Sequence, residues 1–157
     1  MTKTLKIEDT TARKLYKDAA PEFKALLEEN FGKDFFSTNI TDRVKTWDDV
    51  LEISGKDEND ILPYRNPINK QQRSQNALAK IQLITDVLNE GTVFDFNNRN
   101  QPKYYPYFEK TPSGWVLVSC SRCYGSVAGA GQHFKSSELA MYAGNTFIDI
   151  YREYLPG

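Results

Sequence analysis

The sequence predicts an α+β fold, with N-terminal helices, a small antiparallel sheet built on a β-hairpin, and a C-terminal helix packed on that sheet. Three observations predict it. Apolar residues recur at helical spacing in the stretches up to residue 88. The period then shortens to two around a Thr-Pro-Ser-Gly turn, and a capped helical stripe returns after Ser136. No linker or repeat divides the chain, so residues 1–157 read as a single domain with helices and strands in adjoining layers.

In order along the chain, Thr10 offers a hydroxyl to cap a first short helix. Asp18 offers a cap to the next, where Pro21 suits the first turn and Glu22 favours the positive helix end. Phe23, Leu26, Leu27 and Phe31 share one face of that helix, and Gly32 stops it. Phe35 and Phe36 form an apolar plug. Thr46 and Asp49 make a near capping box ahead of Val50, Leu51 and Ile53, which Gly55 ends. Residues 56–60 are polar and acidic, hence an exposed loop, and Pro63 and Pro67 prolong the irregular stretch. Leu78, Ile81, Ile84 and Leu88 carry a long helix over residues 68–88.

Residues 92–96 alternate as a short strand would, and residues 103–108 and 115–120 flank the hairpin turn. Pro106 cannot donate a ladder bond, which places its strand at a sheet edge. Residues 125–131 form a glycine- and alanine-rich loop. Ser136 caps a final helix whose stripe is Leu139, Ala143, Phe147, Ile150 and Tyr154, and Gly144 in its middle suggests close packing.

The composition excludes several classes of function. At 157 residues the chain can close one core, and nine Phe, nine Tyr and two Trp offset an apolar content of 39%. A net charge of −1 excludes a globally basic nucleic-acid glove and a disordered acidic tail. No apolar h-region and no run approaching a membrane span is present, so neither a secretory peptide nor membrane association is expected. Two cysteines do not make a disulfide framework, and a reducing cytoplasm is the expected setting.

Cys120 and Cys123 form a C-x-x-C, but only His133 could add a soft ligand, and zinc needs four. On an extended strand the two sulfurs diverge, so two ordinary small residues are the favoured reading, with no metal and no cofactor expected. The loop at residues 125–131, with Lys135 and Ser136 beyond it, could meet an anion through backbone N–H groups, although it lacks both P-loop and G-x-G-x-x-G spacing. A plain turned connection is favoured there.

Two windows without acidic residues carry the sharper expectation. Residues 61–85 hold Arg65, Lys70, Arg73 and Lys80, and residues 96–108 hold Arg99, Lys103, Tyr104, Tyr105, Tyr107 and Phe108. Cations beside aromatics suit phosphate neutralisation and base stacking. The plainer alternative makes the aromatics core and the cations solvated. Nothing in the sequence motivates catalysis: His133 stands in no motif, and neither G-x-S-x-G nor H-E-x-x-H occurs.

Residues 40–49 (ITDRVKTWDD), 103–108 (KYYPYF) and 134–140 (FKSSELA), continuing through Ala143 and Gly144, resemble uncharacterised small proteins of Bacteroides-type gut bacteria and their crAss-like phages. The resemblance spans roughly residues 35–155 and implies a phage or mobile-element source, hence the cytoplasm of a bacterial host. The expectation is a non-enzymatic accessory protein that binds nucleic acid or a nucleotide. Its ligand would meet Arg65, Lys70, Arg73, Arg99 and Lys103, the three tyrosines, Lys135 and Ser136. The alternative is a protein-interaction or structural module, either a homo-oligomer or a binder of a host protein, with the same aromatics at its interface.

Overall fold

The capping box at Thr46 forms as the sequence predicts. The Thr46 hydroxyl accepts from the Asp49 N–H at 3.3 Å, and the Asp49 carboxylate accepts from the Thr46 N–H at 2.8 Å. It opens one of eight helices that the computed structural model shows, together with a two-stranded antiparallel sheet, among the residues it describes, 6–125 and 130–157. The fold is α+β, as expected. The chain groups into two compact units, Met1–Arg43 and Val44–Gly157.

The first unit holds α1 (Asp9–Asp18), α2 (Pro21–Phe31), a 3₁₀ turn at Lys33–Phe36 and α3 (Ile40–Arg43). Pro21 sits in the first turn of α2 and Gly32 closes the helix, as predicted. Neither expected cap is used. α1 begins before Thr10, and Asp18 is its last residue rather than the cap of α2. Ala12, Leu27 and Ile40 are buried, and the plug is an aromatic cluster in which Tyr16 stacks on Phe36 at 4.1 Å and Phe35 meets Phe36 edge-on at 4.8 Å. Phe23 and Leu26, expected on the inward face of α2, are exposed.

The second unit holds α4 (Trp47–Ser54), α5 (Glu58–Ile61), α6 (Lys70–Leu88), β1 (Lys103–Thr111), β2 (Gly114–Cys123), α7 (Ser137–Thr146) and α8 (Ile148–Tyr154). Residues 58–61 are a helical turn instead of a loop because the Asp57 carboxylate accepts the Asn59 N–H and caps it. Asn69 caps α6 in the same way through Gln72. Ile81, Ile84 and Leu88 form the buried face of α6, which packs against α4 and α8. The predicted strand at residues 92–96 does not form: among the described residues no strand lies beside it, Val93 is 85% exposed, and Phe96 turns inward.

The hairpin turns at Pro112 and Ser113, with Thr111 opposite Gly114. Since the sheet has two strands, β1 is an edge, and Pro106 has its expected place. The pairing slips once: Tyr107 faces Ser119 and Phe108 faces Leu117, leaving Val118 unpaired and exposed. That bulge lets Leu117 face the same side as Pro106, toward α7. There Gly144 packs so closely that a Cβ would lie 2.7 Å from Leu117 Cδ1 and 3.0 Å from Pro106 Cβ. Ser136 caps α7 as predicted, its hydroxyl accepting from Leu139, but the stripe breaks at Phe147 and continues on a separate α8. Tyr151 of α8 meets Phe108 of the sheet at 4.9 Å, so the C-terminal helices cover the hairpin.

Candidate functional site

On α1 the spacing i, i+3, i+4 puts Arg13, Tyr16 and Lys17 on one helical face. Lys24 of α2, Phe36 at the end of the 3₁₀ turn, Ser37 and Thr38 after it, and Arg43 at the end of α3 complete the lining of a cleft of about 520 Å³ within the first unit. Four cations line it, and no carboxylate does. Two acids bonded to lining residues are engaged by hydroxyls: the Tyr16 hydroxyl donates to Glu28, and the Ser37 hydroxyl donates to Asp42 at 2.6 Å. The Glu28 bond, aided by burial and by the carboxylate's charge, holds the Tyr16 phenol above its ordinary value.

Two of the four cations lie against aromatic rings. The Arg13 guanidinium lies 3.8 Å from the Phe35 ring centre and donates to the Phe35 carbonyl, while the Lys24 ammonium lies 5.2 Å from the Tyr16 ring. Lys17, Lys24 and Arg43 make no ion pair among the described residues. Most pointed is Arg43, whose Nε is buried and has no hydrogen-bond partner among the described residues. A buried guanidinium N–H without an acceptor costs about 1–3 kcal/mol, which an anion in the cleft would relieve.

The residues singled out from the sequence lie elsewhere, in the second unit. Arg65 is exposed in the loop after α5, Lys70 and Arg73 are exposed on the first turn of α6, and Arg99 is exposed in the turn before β1. These four cations sit on three separate segments, and their side chains make no hydrogen bond or ion pair among the described residues. Tyr104 and Tyr105 are half-buried, and Tyr107 is 42% exposed. Lys135 pairs with Glu90 at 2.9 Å, and the Ser136 hydroxyl is occupied in capping α7. The glycine-rich loop falls largely outside the described residues, at 126–129.

Lys103 departs furthest from the surface role expected of it. It is 0% exposed, and its ammonium donates to the carbonyls of Gln101 at 3.0 Å and Tyr124 at 3.4 Å, 5.3 Å from the Phe96 ring centre. A fully covered ammonium cannot contact a nucleic-acid backbone. Directly across the ladder stands Cys123, whose sulfur lies 3.4 Å from Nε2 of His133. His133 is 2% exposed and takes the edge of Tyr105 at 5.7 Å. Two anchors hold it there: Phe134 pairs with Tyr104 through two backbone hydrogen bonds, and the buried Asn89 side chain donates to the His133 carbonyl at 2.7 Å.

Both cysteines are free thiols, and three residues of spacing on one strand send them to opposite faces, as the sequence implied. Among the described residues no group of three or more His, Cys, Asp or Glu side chains is placed to hold a metal, and no helix is long and apolar enough to cross a membrane. No protein-family model, curated protein or solved structure matches the chain.

Proposed function

We propose that this chain is a non-enzymatic accessory protein of the phage or mobile-element type that binds a nucleotide through its phosphates, in the cleft of the first unit. The observation that carries the reading is the orphaned Nε of Arg43 in a cleft lined by four cations and no carboxylate. At about 520 Å³ the cleft is within the range of small-ligand sites. Within the second unit, the exposed cations Arg65, Lys70, Arg73 and Arg99 would by themselves give a nucleic acid only a weak, salt-screened attraction.

Titration calorimetry of the full chain with ATP and with a thymidine oligonucleotide tests this. Arg43→Gln should weaken nucleotide binding about tenfold or more, the loss of a charge-assisted hydrogen bond of about 1.5–3 kcal/mol. Equal affinity of wild type and Arg43→Gln for every ligand tried would refute the site. Loss of oligonucleotide binding in Arg65→Gln/Arg73→Gln, with Arg43→Gln silent, would move it to the second unit.

A second reading has its own support. Leu15, Phe23 and Leu26 expose apolar area on the first unit, as a protein-interaction module would. A protein that binds neither ligand and scatters light as a stable oligomer would transfer the function to that surface.

A further inference from the structure

Cys120 and Cys123 share a strand, a similar degree of exposure and an identical side chain, yet their surroundings differ in kind. Cys120 stands opposite Pro106, whose Cβ packs toward α7. Cys123 stands opposite a fully buried ammonium and touches a buried imidazole. Lys103 is paired with no carboxylate among the described residues, and its two hydrogen-bond acceptors are neutral carbonyls. A cation buried this way leaves an uncompensated positive field on its face of the hairpin. Within that face Cys123 is the thiol that touches the buried imidazole.

We infer that Cys123 is a nucleophilic thiol with His133 as its proton acceptor, a site of reversible oxidation by peroxides. With the imidazole proton on Nδ1, Nε2 of His133 accepts the thiol proton as the sulfur attacks the terminal oxygen of a hydroperoxide. The S–O bond forms and the O–O bond breaks. The departing alkoxide, or hydroxide when the oxidant is hydrogen peroxide, takes the proton from His133. The sulfur is oxidised by two electrons to a sulfenic acid, and the peroxide is reduced to an alcohol or water. The charge that passes from sulfur to the leaving oxygen develops on the face where the Lys103 ammonium lies, and the ammonium offsets it. Position 123 thereby gains a chemistry that C-x-x-C spacing does not imply, because the partner of Cys123 is His133 and not Cys120. The inference is independent of the nucleotide cleft, which lies in the other unit.

The test uses the full-length reduced protein and hydrogen peroxide, with sulfenic acid trapped by dimedone and located by peptide mass spectrometry. Cys123 should be labelled about tenfold or more faster than Cys120 in the same molecule, a comparison that needs no variant. His133→Gln should bring Cys123 down to the rate of Cys120, and Lys103→Met should slow it several-fold while leaving Cys120 unchanged. Equal labelling of the two thiols in the wild-type protein would overturn the proposal even if both variants failed to fold. So would a folded His133→Gln protein in which Cys123 keeps its advantage.

Discussion

Gly144 sets two magnitudes against each other, and the structure decides between them. In an isolated helix Gly→Ala stabilises by about 1 kcal/mol, because alanine restricts the unfolded backbone. Here the added methyl would lie 2.7 Å from Leu117 Cδ1, 3.0 Å from its Cδ2 and 3.0 Å from Pro106 Cβ. A leucine terminus can rotate away, but Pro106 is a ring fixed in a strand and cannot. Overpacking of this kind costs about 1–3 kcal/mol, so the net effect of Gly144→Ala should be a loss of about 1 kcal/mol.

Urea unfolding followed by tryptophan fluorescence reads this well, since both tryptophans, Trp47 and Trp115, belong to the second unit. Asn145→Ala, at the next and exposed position of α7, supplies the propensity term without the clash. Leu117→Ala removes the two leucine contacts but leaves the Pro106 Cβ in place, so it should recover only part of the Gly144→Ala penalty, a coupling of less than about 1 kcal/mol in the double-mutant cycle. A gain in stability from Gly144→Ala alone would refute the argument, because it would mean that the hairpin and α7 do not approach as described.

Tyr151 is buried, its hydroxyl has no hydrogen-bond partner among the described residues, and burial holds its phenol far above the ordinary range. Tyr151→Phe should therefore raise stability, by about 1 kcal/mol, in the same urea assay; a loss of that size would reveal an acceptor for the hydroxyl. The Glu58 carboxyl is held below its ordinary 4.5, first by the hydrogen bond from Lys80 and then by that from Trp47, against an opposing contribution from burial. A depressed folded value means that this contribution is complete above the unfolded value and disappears as pH falls through the folded one. The pair is partly exposed, so Glu58→Gln should cost no more than about 1 kcal/mol at neutral pH, and the difference from wild type should close as the pH falls through the depressed folded value. A gap that persists in acid would show that shape, not charge, is what Glu58 contributes.

What the sequence disclosed was local. The Thr46 box, the Ser136 cap, Pro21, Gly32 and the hairpin turn each depend on residues within a few positions of one another, and each forms. The strand expected at residues 92–96 had the right alternation but no partner, and alternation alone does not make a ladder. Periodicity ran Leu139 to Tyr154 as one stripe because a single-residue break at Phe147 barely disturbs the spacing.

The candidate site escaped for a different reason. Along the chain Arg13, Lys17, Lys24 and Arg43 are interleaved with Asp18, Glu22, Glu28 and Asp42, so no acid-free window marks them. Only the packing of α1, α2, the 3₁₀ turn and α3 brings the cations to one cleft while Glu28 and Asp42 bond to hydroxyls. The spacing of Arg13, Tyr16 and Lys17 on a single helical face was the one signal available. Lys103 illustrates the converse: composition reads a lysine among tyrosines as a surface cation, and burial is not written in the neighbouring letters.

The packing of α6 against α8 bears on the order in which the protein is made. Roughly 60 residues of chain separate Leu88 from Ile148, and the core of the second unit closes only when those two ends meet. Until α8 has left the ribosome, Ile81, Ile84 and Leu88 have lost one of the surfaces that cover them, and the nascent chain carries an apolar helix face into a crowded cell. The first unit, whose residues lie within 43 positions of one another and emerge earlier, does not depend on that closure. Its cleft can be in place while the second unit is still waiting for α8.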